Sequence, residues 1–193
     1  MKFPLALILS AALGLPLAAT AHAQSTDAQT LSARPYDPGA RMLDFDGVDG
    51  AAVLAQLVIQ TESRQGPLQV VRLPNNLRAG LLYEDCDATG TGCSGLRSFA
   101  SWVRPQAIPA EAMGGLVNRF NSRAGFATAY YNELDDQLYL SRTMSAAGGI
   151  SQQSYADELN RFVQASSQFD RYLLDLSNQA AAAQAPADAS PQE

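Results

Sequence analysis

Residues 77–102 read LRAGLLYEDCDATGTGCSGLRSFASW. Leu77, Ala79, Leu81 and Tyr83 alternate with other residues, which predicts a strand ending at Cys86. The Asp, Thr and Gly residues between Cys86 and Cys93 are turn formers. Leu96, Ala100 and Trp102 then share one face of a following strand, with Phe99 on the other. The two cysteines therefore meet across the neck of a hairpin. Their separation is not the Cys-x-x-Cys of a redox catalyst. A structural disulfide is the expectation, and so short a loop would contribute about 2–3 kcal/mol. Free buried thiols, or a redox or metal role, are the alternatives.

Upstream of this hairpin, Leu68 to Leu73 reads as a strand and Pro74-Asn75-Asn76 as a turn. Gly66-Pro67 breaks the chain before it. Asp49 is placed to cap a helix through Ile59 that is apolar on nearly every side, as for burial on a sheet. Downstream, Pro109 suits the start of a helix with Ala112, Leu116 and Phe120 on one stripe and Met113 and Val117 beside it. Gly125 can end that helix. Phe126 to Asn132 and Gln137 to Met144 form a second hairpin around Leu134-Asp135-Asp136. After a Gly148-Gly149 hinge, Ser151 caps a last helix. Its stripe is Tyr155, Leu159, Phe162, Val163, Phe169, Leu173 and Leu176. The order α-β-β-β-α-β-β-α predicts an α+β domain, an antiparallel five-stranded sheet packed against three helices. No internal repeat is visible.

The margins read differently. Met1-Lys2, the apolar run from Phe3 to Leu17 and Ala21-His22-Ala23 fit a signal peptide over residues 1–23, cleaved after Ala23. The run is shorter than the roughly 20 residues of a membrane span. The mature chain is thus expected to be periplasmic or secreted, with no membrane span after signal removal. Residues 24–44 read as a flexible leader, 45–176 as the domain, and 177–193 as a disordered Ala/Pro-rich tail.

Composition excludes much chemistry. Lys2 and His22 are the sole Lys and His in the sequence, and both leave with the signal. The mature chain then lacks a Ser-His-Asp triad, a Cys-His pair, a histidine metal centre and a phosphate-loop lysine. Of 13 basic residues, 12 Arg remain against 19 acids, a net charge of −7. That balance disfavours nucleic acid. Asp85-x-Asp87-x-Thr89-Gly90 begins like a calcium loop, but its twelfth position is Leu96 rather than Glu. Asp44, Asp46 and Asp49 read as acids at a helix start. No metal site, catalytic residue or cofactor is expected.

Three groups are candidates for contact with a partner. Asn118 and Asn121 lie on one side of a helix, where they either satisfy backbone groups or bind a partner's backbone. Tyr130, Tyr131 and Tyr139 cluster on the second hairpin, with one subset pointing away from the core. Trp102 ends the third strand.

The chain resembles the secreted branch of the YbjN-like domain family, whose members are described as bacterial sensory transduction regulators. Carrying the resemblance are the strand ending in Cys86, the Gly-rich loop to Cys93, and Leu96 and Trp102. With them go Asn118-Arg119-Phe120-Asn121, then Phe126, Ala129 and Tyr130, and Gly148-Gly149-Ile150 before Phe162. The match spans about residues 47–176. The turn Glu133-Leu134-Asp135-Asp136 departs from the pattern by lacking Gly. Ser98 departs too, at an inward position where an aromatic is more usual. The resemblance implies a fold like that of type III secretion chaperones and is compatible with homodimerisation; no catalytic activity follows from it. The functional expectation is a non-enzymatic exported protein that binds a protein partner in a chaperone-like or adaptor role. A small-ligand or metal sensing module is the first alternative, and a carboxylate-based hydrolase the second.

Overall fold

A computed structural model describes residues 34–184. The expected signal peptide, the first ten residues of the leader and the end of the tail lie outside these residues.

The main sheet has six strands in the order β2-β3-β4-β5-β7-β6, every neighbouring pair antiparallel. They are β2 (Gln60–Gln65), β3 (Leu68–Arg72), β4 (Arg78–Glu84), β5 (Gly95–Val103), β6 (Thr128–Asn132) and β7 (Gln137–Ser145). A second pairing joins β1 (Arg41–Met42) to β8 (Ile150–Ser151). Three helices, α1 (Val48–Gln56), α2 (Met113–Ala124) and α3 (Gln152–Gln184), complete the α+β architecture.

The alternation read in residues 77–102 sets one face of the sheet. Ala79, Leu81 and Tyr83 of β4, Leu96 and Ala100 of β5, and Leu138 and Leu140 of β7 are all buried. Against them lie Tyr155, Leu159, Phe162, Phe169 and Leu173 of α3 and Met113, Leu116, Val117 and Phe120 of α2. Side chains alternate on a strand and recur every three or four positions on a helix, so these two stripes can meet in one core. Ala112, expected on the α2 stripe, is exposed, because α2 is preceded by a 3-10 turn over Ala110–Ala112.

The expected sheet of five strands gains β2. Its residues are all exposed, so no apolar periodicity marks it, and backbone pairing to β3 holds it in place. Gly66, at φ +57, and Pro67 form the two-residue turn between β2 and β3. Helix α1 stops at Gln56 rather than Ile59, because Val58 takes φ +56 and the Ile59 N–H turns back to the Leu54 carbonyl. It packs on α3, and its Val53 and Leu54 join the core shared with the sheet. Asp49 is not its cap. Gly47 holds that position, and the Asp49 carboxylate accepts from Gln152 Nε2. Ser151 does cap α3, its Oγ accepting from the Ser154 N–H.

The boundaries also move. The described part of the leader expected through Asp44 holds ordered structure. Met42 is buried, and Gln152 ties residues 37–40 to α3 by accepting from the Asp37 N–H and donating its own N–H to the Ala40 carbonyl. The tail expected from Ser177 continues as helix through Gln184, and Ala180 packs against the core. Alanine is the best helix former, so the run from Ala180 to Ala183 extends α3 on propensity with little to bury.

Cys86 and Cys93 are joined in a disulfide. It fixes the Cys93 backbone, whose carbonyl accepts from the Phe45 N–H and whose N–H donates to Asp46 Oδ1 at 2.8 Å. Asp87 turns inward and accepts from the N–H groups of Thr89 and Thr91. The Thr89 hydroxyl and these amides hold its carboxyl below the usual range. The half calcium loop seen in sequence is thus a self-bonded turn.

Candidate docking face

Helices cover one face of the sheet. Strand alternation assigns Val70, Leu82, Phe99, Ser101, Val103, Tyr139 and Tyr130 to the other. Along one row, register aligns Val70 with Gly80, Gly80 with Phe99, Phe99 with Ser141 and Ser141 with Thr128. Val70, Leu82 and Phe99 are half-buried, while Val103 is exposed. The Phe99 ring lies over Gly80, where a Cβ would collide with it. An aromatic laid across a strand glycine covers backbone that the glycine leaves bare. Beside the ring, Leu68, Val70, Gly80 and Ser101 line an open groove of about 240 Å³ that reaches Arg78.

Tyr130 and Tyr139 pair across β6 and β7 and stack with ring centroids 5.2 Å apart. The Tyr139 hydroxyl donates to Asp135 Oδ2 at 2.7 Å, and that bond leads the causes that push the phenol's pKa up. Two ion-pair groups flank the face. Glu62 is bound by both Arg72 and Arg78, and Glu84 by Arg97.

The residues expected to contact a partner are not brought together. Tyr130 and Tyr139 are on the open face. Tyr131 is on the helix-covered side, its hydroxyl donating to Asp136 Oδ1 at 2.6 Å. Trp102 is also on that side. Its Nε1–H donates to Asp170, and its ring meets Phe169 edge-on. Asn118 is exposed on α2. Asn121 instead reaches the edge strand β6, where Nδ2 donates to the Ala129 carbonyl and Oδ1 accepts from the Ala129 N–H, both at 2.8 Å.

That pair of bonds consumes outward-pointing backbone groups that another strand could otherwise use. The opposite edge is guarded differently. Strand β2 slips register between Thr61 and Ser63, leaving Glu62 as an extra residue, and it also carries the charge of Arg64. Bulges and charges on an edge discourage strand addition. Replacing Asn121 with alanine is expected to cost about 1–3 kcal/mol, because the Ala129 groups lose their partner. It should also promote self-association through β6. Urea unfolding and sedimentation velocity would check both, and an unchanged midpoint with no new oligomer would rule out this role.

Of the two departures noted in the sequence, the turn finds a physical account and Ser98 does not. The turn after β6 has no Gly, and Asp136 takes the positive φ of 54° there. Short polar side chains tolerate that region. A two-point ion pair to Arg104, at 2.6 and 3.0 Å, locks it. The guanidinium first, and then the Tyr131 hydroxyl, hold the Asp136 carboxyl below its usual range. Ser98 is fully buried, and its Oγ has no hydrogen-bond partner among the described residues. Among the described residues, Glu62, Asp87 and Asp136 have their carboxyls held below the usual range.

The features that make the open face were only partly legible. Phe99 is outward by simple alternation, but the Gly80 floor needed the register of β4 against β5. The ion-paired Glu62 needed β2, which has no apolar signal.

Comparison with known proteins bears on this architecture. No curated protein matches the chain. Among solved structures, the chain is similar to a protein described as YbjN, "a putative transcription regulator from E. coli". The TM-score is 0.50 at 17% identity, covering 70% of this chain and 94% of that one. Identity that low speaks to the fold alone. The YbjN family profile, described as "Putative bacterial sensory transduction regulator", matches residues 52–175. That span runs from the body of α1 to the apolar part of α3 and includes all of the main sheet. The chain belongs to the YbjN family.

Proposed function

We propose that this YbjN-family protein is a non-enzymatic, exported adaptor that binds a protein partner on the open face of its sheet. One observation carries the reading. A face bearing Val70, Leu82, Phe99 and Tyr130, left unroofed by the described residues, coexists with sheet edges closed by Asn121 on one side and by the Glu62 bulge on the other. Aromatic and aliphatic side chains on one face favour docking by area. The closed edges disfavour strand addition. The Cys86–Cys93 disulfide supports an oxidising, extracytoplasmic compartment.

A net charge of −6 works against nucleic-acid binding. The groove, at about 240 Å³, is smaller than the roughly 300–1,000 Å³ typical of small-ligand pockets. That favours a protein over a metabolite.

Site-specific photocrosslinking in cells tests the proposal. A crosslinker at Ser101 on the open face should capture a discrete partner, and one at Asn160 on α3 should not. Leu82→Asp should abolish the capture. Equal capture from both positions, or capture indifferent to Leu82→Asp, would refute the docking face.

A further inference from the structure

We infer that the groove beside Phe99 receives a large apolar side chain from an acidic partner segment, with a neighbouring carboxylate of that segment meeting Arg78. This rests on the open-face reading above and specifies what docks there.

The shape comes from short side chains set between large ones. The Phe99 ring already covers the Gly80 backbone, and beside it Ser101 adds little bulk. Leu68 and Val70 form one wall and the Phe99 ring the other, while Arg78 stands at one end. Such a trough suits a leucine- or phenylalanine-sized anchor, the kind of side chain that dominates interface energetics when it fills a pocket.

Charge points the same way at one end of the trough. There Arg72 and Arg78 share Glu62 alone, so one positive charge is left without a matching carboxylate. Farther along the face Arg97 is matched by Glu84, and Asp135 takes the Tyr139 hydroxyl. The two guanidiniums at the trough are also the more exposed members, with side chains 40% and 66% accessible against 25% for Glu62. A chain of net charge −6 therefore presents a positive end to an apolar trough.

Complementarity selects the occupant. A segment with Asp or Glu within one or two residues of its apolar anchor satisfies both features. A second copy of this chain does not. Two chains of like net charge repel at long range.

The test uses three fluorescein-labelled peptides of equal length and anisotropy titration with the full mature chain. The first alternates Glu and Leu, the second has Lys for each Glu, and the third has Ser for each Leu. The Glu/Leu peptide should bind about tenfold or more tighter than either of the others, and its affinity should fall with added salt. Arg78→Gln should weaken that binding, and Arg78→Glu should reverse the preference toward the Lys/Leu peptide. Circular dichroism would verify that both variants are folded.

Equal binding of the Glu and Lys peptides, no binding of any peptide, or indifference to the Arg78 substitutions would overturn the inference. So would a concentration-dependent dimer that Leu82→Asp dissolves. If these tests fail while crosslinking from Ser101 still depends on Leu82, the acidic anchor is wrong and face docking stands. If that dependence is also missing, both readings fall.

Discussion

Replacing Phe169 with alanine should cost about 3–5 kcal/mol, the usual toll for deleting a fully enclosed aromatic. Phe169 has no exposed surface, and its ring meets Trp102 of β5 at 5.0 Å and Phe120 of α2 at 4.7 Å. One side chain thus joins the long helix, the short helix and the sheet. The neighbours cannot readily collapse into the space. Tyr172 is held to the Leu116 carbonyl at 3.0 Å, and Trp102 is held to Asp170 at 2.9 Å. A domain of ordinary stability has only about 5–15 kcal/mol to lose. The variant should therefore unfold at a much lower urea concentration, and Trp102, the single tryptophan, should emit further to the red as water reaches it. A loss below about 1 kcal/mol with unchanged emission would mean that the cluster is not a keystone.

That cluster was legible in the sequence in its parts. The spacing of Tyr155, Leu159, Phe162, Phe169 and Leu173 announces a helix with one apolar stripe, and alternation in residues 77–102 announces strands with one apolar face. Each is a local rule, and local rules survive without coordinates. The elements that escaped share a physical cause. Strand β2 is built of Gln, Thr, Glu, Ser and Arg and has no buried face, so its partner defines it rather than its own pattern. Strand β1 is two residues long and stands next to Gln152, a polar residue with almost no exposed surface that gathers Asp37, Ala40 and Asp49. A buried glutamine looks like any solvated one until its partners, more than a hundred positions away, are known.

The candidate site divides in the same way. Tyr130 against Tyr131 follows from alternation, which places one on each face. Asn121 is different. The sequence permitted both a backbone-satisfying and a partner-binding role, and what decides is that both polar atoms of its amide meet one residue, Ala129. Trp102 had the look of a contact residue, yet its ring is engaged with Phe169.

Converting Cys86 and Cys93 together to serine should lower stability by about 2–3 kcal/mol, the chain-entropy value for so short a loop. The lower end is the better expectation. The loop keeps its own turn without the bond, since the Asp87 carboxylate still gathers the Thr89 and Thr91 amides and the Gly90 N–H still reaches the Asp87 carbonyl. Because the folded state holds the Asp87 carboxyl below its usual range, this support is present above the ordinary aspartate range and is lost as the pH falls below that range through the lowered value. The difference between oxidised and serine forms should therefore widen in acid. The loss should also spread beyond the loop. Cys93 receives the Phe45 N–H, and Phe45 is fully buried with its ring 5.0 Å from that of Tyr155. Hydrogen exchange should thus quicken at Phe45 and Cys93, while the amides of β7 hold their protection. If the serine form unfolds at the same urea concentration as the wild type, or if exchange rises equally across the whole sheet, the disulfide is not the local clamp described for the hairpin neck.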